Sequence, residues 1–210
     1  MTYVVVRLYT ASGPHTAEQI LHAGAQQLAP QIARNPGLLR YTLFEVTDQR
    51  FGSATLCIDR DAAQQTMKTA SDWVGSAMAT QGARLDRVLQ GERFFAYQGT
   101  GHDLKGAWGD MRIFQSPASV EEWHHAIERD LKPLYGQEIG LMRVTIFKSS
   151  DLEDTYVVLG AFTDHDSCTR LAQNLRAVQE DQDSVFAQIT GGALPEVTES
   201  TIFETFARSG

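Results

Sequence analysis

The chain has 210 residues, of which 42% are hydrophobic and 21% charged, with a formal net charge of −8. That is enough material for one large domain or two small ones with cores of their own. The acidic balance and the lack of a basic run argue against a nucleic-acid surface, and no stretch approaches the roughly 20 apolar residues of a membrane span.

In chain order, residues 3–10 alternate as a strand, with Val4, Val6 and Leu8 against Val5, Arg7 and Tyr9. Residues 16–35 then carry Ile20, Ala23, Gln27 and Leu28 near helical spacing. Thr16 can cap this helix with Gln19 three residues on, and Pro36-Gly37 stops it. Strands are predicted near 38–46 and 52–59, joined by a short turn. A helix near 60–80 carries an apolar stripe of Met67, Ala70, Trp73, Val74 and Ala77, and a last strand runs near 92–98. The stretch from Gly99 to Gly109 is rich in glycine, lacks periodicity and reads as a linker.

The same order of elements then returns. "GLLRYTLF" (Gly37 to Phe44) is answered by "GLMRVTIF" (Gly140 to Phe147), and Val6–Tyr9 by Met111–Phe114, with helices near 117–136 and 164–180. A longer polar insertion, "VQEDQDSVFAQITGGALPE", precedes the final strand. Each half reads β-α-β-β-α-β, the ferredoxin-like arrangement of an antiparallel sheet with both helices on one face. The strands are apolar on both sides, so the second sheet face also needs cover, which the other half's sheet can supply. The expected fold is α+β: two tandem ferredoxin-like repeats, 1–99 and 108–210 with a linker at 100–107, packed sheet to sheet as an intramolecular pseudo-dimeric α+β barrel.

The passages "APQIARNPGLLRYTLFE" and "DAAQQTMKTASDWVGSAMA" resemble the dimeric α+β barrel superfamily, most closely its antibiotic-biosynthesis-monooxygenase-like branch. The resemblance covers nearly the whole chain as two fused copies and is specific for the fold rather than for an activity. It implies a ligand site between the sheet and the two helices of one repeat. The haem-degrading branch has an Asn in the first strand, a Trp in the second helix and a His about ten residues beyond. Here Trp73 is present, but the first strand has no asparagine and Ala83 or Arg84 stands where the His would be, so that chemistry is not expected.

Trp73 is the leading pocket candidate, since an indole on the inner side of the second helix would wall a cavity above the sheet. Tyr41 would add a hydroxyl from the second strand. Neither has a twin in the second half, where Val144 and the Leu175–Val178 stretch stand instead, so any site is expected in the first half. Arg7, Arg40, Arg112 and Arg143 are each planted among apolar strand residues. They are expected to face the space between the sheets and to pair with Glu45, Glu92 and Glu204, because an unpaired buried charge is costly. Anion binding is the alternative, and Arg7 is the one expected to orient a substrate.

The helix segment "EEWHHAIERD" looks like a metal site, but His124 and His125 point about 100° apart and cannot clasp one ion together. His15, His22, His102 and His165 are scattered near turns and helix starts. Cys57 and Cys168 lie in no metal-binding or redox spacing and read as small buried residues in a reducing compartment. No export signal is evident at the N-terminus, so a cytoplasmic protein is expected. No nucleophile elbow or phosphate-cradling loop is visible. The resemblance therefore implies a small-molecule enzyme of the cofactor-independent monooxygenase type, acting on an aromatic or apolar substrate at Trp73, Tyr41 and Arg7, with no metal or cofactor. A non-catalytic ligand-binding or scaffold protein of the same fold is the alternative. The assembly would be a monomer with an internal pseudo-two-fold, or a homodimer.

Overall fold

In the computed structural model, residues 1–78, 82–99, 101 and 103–207 are described. The first part runs β1 (Tyr3–Ala11), α1 (17–32), β2 (Leu38–Thr47), β3 (Arg50–Cys57), α2 (60–78) and β4 (Ala83–Gln98). The second runs β5 (Trp108–Gln115), α3 (120–137), β6 (Leu141–Ser149), β7 (Thr155–Phe162), α4 (His165–Glu180), α5 (Val185–Thr190) and β8 (Glu196–Ala207). The hydrogen-bonded strand order is β1-β3-β2-β8-β5-β7-β6-β4, an antiparallel ladder that closes as a barrel. The last two residues expected in α2, 79 and 80, and the linker residues Thr100 and His102 lie outside the described residues.

The chain forms two compact units, Met1–Glu92 with the chain from Ser200 onward, and Arg93–Glu199. These limits differ from the expected 1–99 and 108–210 because they fall inside strands. β4 begins near Ala83 rather than near residue 92, and its residues up to Glu92 are the ladder partner of β1. Its opening was unreadable as strand because Arg84, Leu85 and Asp86 are exposed and offer no buried alternation. The polar insertion before β8 also contains an unexpected helix, α5, whose Phe186 is buried.

The same local devices start the corresponding elements in each unit. Thr16 and Ser119 cap α1 and α3 through capping boxes closed by Gln19 and Glu122. Asp59 and Asp164 cap α2 and α4 by accepting the Ala62 and Ser167 amides. α1 and α3 each widen into a π turn, Gly24–Leu28 and Ile127–Leu131, just before Pro30 and Pro133. A proline ring would collide with the carbonyl four residues back, and widening that turn relieves the collision.

The glycine shared by the two repeated stretches has a steric cause. A Cβ on Gly37 would run into the Ala62 side chain, and one on Gly140 into Ser167, so each strand start passes against the first turn of a helix. In the first unit Tyr3, Val5 and Tyr9 of β1, Tyr41 and Leu43 of β2, and Phe51 and Cys57 of β3 pack with Ile20, Leu21, Leu28, Ala63 and Trp73 of the helices. In the second unit Phe114, Val144, Ile146, Tyr156 and Val158 pack with Trp123, Ile127, Leu131 and Leu171.

Candidate functional site

In the first unit a cleft opens between α1, the end of α2 and the sheet. Its helix side is Ile20, Leu21, Gly24, Leu28, Trp73 and Val74, and its sheet side includes Tyr9, Tyr41, Leu43, Phe51 and Ser53. The Tyr9 and Phe51 rings stack with centroids 5.2 Å apart. At Val74 helix α2 passes into a second π turn, Val74–Met78, whereas its counterpart α4 stays α-helical from His165 to Glu180. Such turns occur often at functional sites because they break the regular spacing of a helix face. The cavity volume is about 20 Å³, room for about one water and too little for an aromatic ring unless lining side chains move.

Polar groups converge on this apolar space. Burial raises the Tyr41 hydroxyl far above the ordinary phenol range, against the opposing pull of the Arg7 charge, and Ser53 is its hydrogen-bonding neighbour. Burial raises Tyr9 too, again opposed by Arg7. Both hydroxyls are therefore protonated donors at neutral pH. The buried Trp73 Nε1 has no hydrogen-bond partner.

The structure thus brings Trp73 and Tyr41 to one cleft, with Arg7 on the same sheet face. The expected facing of the arginines is corrected in part. Arg40 and Arg143 lie on the sheet face away from the helices, but Arg7 and Arg112 face the helices. Tyr3, Val5 and Tyr9 share Arg7's side of β1, and Phe114 shares Arg112's side of β5. β1 is apolar on both sides, so alternation alone did not reveal which set faces inward. Arg112 Nε donates to Asp110 Oδ2 at 2.6 Å, and Arg143 Nη2 donates to Gln98 Oε1.

Arg7 is only 3% exposed, and its Nη1 donates to Thr55 Oγ1 at 3.1 Å while Nη2 has no partner. The ladders explain the contrast with Arg112. Val5, Thr55 and Tyr41 form one cross-strand row in the first unit, and Asp110, Gly160 and Val144 form the corresponding row in the second. Asp110 fits only because Gly160 has no side chain: a Cβ there would meet the carboxylate. Tyr9, Ser53 and Asp110 were all missed by sequence reasoning, and the "GDMR" stretch was the available signal for Asp110.

The corresponding space in the second unit is packed with aromatic rings. Trp123, at the helix position of Ile20, stacks on Tyr156 at 4.5 Å and meets Phe114 and Phe186 edge-on at 5.6 Å each. Phe186 comes from α5. His124 and His125 are exposed, and among the described residues no group of three His, Cys, Asp or Glu side chains could hold a metal. Cys57 and Cys168 are both buried free thiols.

No family model matches the sequence, and no curated protein does. Solved structures do match over almost the whole length. A candidate monooxygenase from Fusobacterium nucleatum superposes with a TM-score of 0.71 at 13% identity, covering 100% of this chain and 95% of the other. The likeness is one of fold. An anthrone oxidase-like protein matches this barrel with a TM-score of 0.59 at 10% identity, over 98% of this chain and 93% of that one. A mutant chlorite dismutase from Candidatus Nitrospira defluvii matches with a TM-score of 0.65 at 11% identity, over 96% and 91%. At such identities the barrel fold is shared while activity is free to differ.

Proposed function

We propose that this protein is a small-molecule oxidoreductase of the cofactor-independent monooxygenase type. Its aromatic or apolar substrate binds in the first-unit cleft, with Trp73 as a wall, Tyr41 as a hydroxyl donor and Arg7 as the charge beneath. The two units are read as tandem ferredoxin-like repeats, one keeping a site and the other serving as scaffold. The observation that carries this reading is the asymmetry of the helix–sheet spaces: the first holds a cleft with convergent donors, the second a stack of rings around Trp123. The names of the barrel neighbours lend an oxidoreductase direction.

In this reading the substrate carries the acidity and the protein supplies shape and donors. The protonated hydroxyls of Tyr9 and Tyr41 stabilise charge that develops on a substrate oxygen as its acidic carbon loses a proton. The apolar walls exclude water from the reacting carbon.

Anthrone tests the proposal, because its oxidation by one dioxygen gives anthraquinone and water with all atoms balanced. An oxygen electrode should record uptake with the full chain and no added cofactor, falling at least about tenfold in Tyr41→Phe and Trp73→Ala. Anthrone binding without oxygen uptake would favour the non-catalytic ligand-binding alternative.

A further inference from the structure

Arg7 and Arg112 stand at the same place in the first strand of each unit, yet only Arg112 is shown with a carboxylate. Its partner Asp110 lies two residues back on the same strand, in the room left by Gly160. In the first unit those two positions hold Val5 and Thr55. Thr55 accepts one hydrogen bond from Arg7 and neutralises nothing.

Among the described residues, the ionisable groups shown to feel the Arg7 charge are Tyr9, Tyr41 and Cys57, and burial keeps all three in their neutral forms at neutral pH. A buried guanidinium with an unpartnered nitrogen and no anion is an expensive arrangement. Arg7 also lies against the cleft: its ladder partner Ser53 and its strand neighbour Tyr9 both line it.

We propose that Arg7 binds the carboxylate of a ligand whose apolar body fills the first-unit cleft, so that the ligand supplies the group that Asp110 supplies in the second unit. The inference rests on the cleft being the binding site. Carboxylate is favoured over other anions on three grounds. It is the group Asp110 presents to Arg112, it is ionised at neutral pH without help from the site, and its planar pair of oxygens matches a guanidinium edge. A phosphate would bring more negative charge than one arginine answers.

Calorimetric titration of the full chain with 2-naphthoate and with its neutral analogue 2-naphthylmethanol tests the inference. The wild type should prefer the naphthoate by at least about tenfold. That preference should vanish in Arg7→Met, which keeps the apolar stem. It should vanish as well in the double variant Val5→Asp with Thr55→Gly, which rebuilds the Asp110–Gly160 arrangement and answers Arg7 internally. Retained binding of 2-naphthylmethanol in these variants reports that the fold and the cleft are intact. If both variants fail to fold, the wild-type preference alone decides. Equal wild-type affinity for the two compounds would overturn the carboxylate assignment while leaving the cleft as the site. Failure of both compounds to bind would overturn the cleft reading and this inference together.

Discussion

The indole of Trp123 lies nearly parallel to the Tyr156 ring, with centroids 4.5 Å apart, at the helix position that Ile20 holds in the first unit. This position differs between the two spaces, and in the second unit Phe186 of α5 joins Trp123 in the filling. Ile20→Trp should fill the first-unit cleft and abolish binding of aromatic probes, at a stability cost of about 1–3 kcal/mol for overpacking. Trp123→Ala should leave first-unit binding intact while destabilising the chain by about 3–5 kcal/mol, because it opens a cavity in a ring cluster. Urea unfolding alongside calorimetric titration separates the two effects.

Asp110 and Arg112 form an ion pair whose side chains are 3% and 8% exposed. Burial alone would lower the Arg112 pKa, yet the Asp110 charge and hydrogen bond raise it above the ordinary guanidinium value. Removing one partner strands the other, so Asp110→Ala should cost about 3–5 kcal/mol. The double variant Asp110→Ala with Arg112→Met should recover a large part of that loss. If the double variant is no more stable than the single one, the pair is not what the unit depends on.

The shared glycine of the two repeated stretches should tolerate no side chain. Gly37→Ala and Gly140→Ala force a methyl group into Ala62 and Ser167 respectively, at the first turns of α2 and α4. Each should lower stability by about 1–3 kcal/mol, read as a shift in the urea midpoint with an unchanged slope.

Alkaline pH should weaken the fold by a calculable route. Burial pushes the Cys57 thiol up from 9.0 to about 11 and the Cys168 thiol from 9.0 to about 12. Burial also raises Tyr41 and Tyr135. Above the ordinary thiol value the unfolded chain releases protons that the folded chain still holds, so rising pH favours unfolding. The contribution is fully present below about pH 9 and is lost as pH climbs through the folded values. Urea midpoints measured from neutral pH upward should stay level and then fall above about pH 9. A midpoint that stays level to pH 11 would show that these groups titrate freely in the folded chain.

Much of the fold could be read from residues whose local chemistry leaves little choice. Thr16 with Gln19, Pro36-Gly37 and the helical spacing around Trp73 each point to one structure, and the protein carries all of them. Where two physical readings are equal the sequence is silent. The two faces of β1 are both apolar, so the face carrying Arg7 could be known only from what packs on it. The opening of β4 hides its strand character behind exposed charges, and α5 hides its buried Phe186 in a polar stretch. Trp73 and Tyr41 stood out as large aromatic residues without twins. Ser53 and Thr55 did not, because their role depends on which residues the ladder sets opposite them.

A heavy-atom probe can locate the site within the first unit. A crystal soaked with 6-bromo-2-naphthol should give an anomalous bromine peak among Gly24, Leu43 and Trp73, with Trp73 and Val74 displaced. A peak in the Trp123–Tyr156 cluster with none in the first-unit cleft would contradict the account.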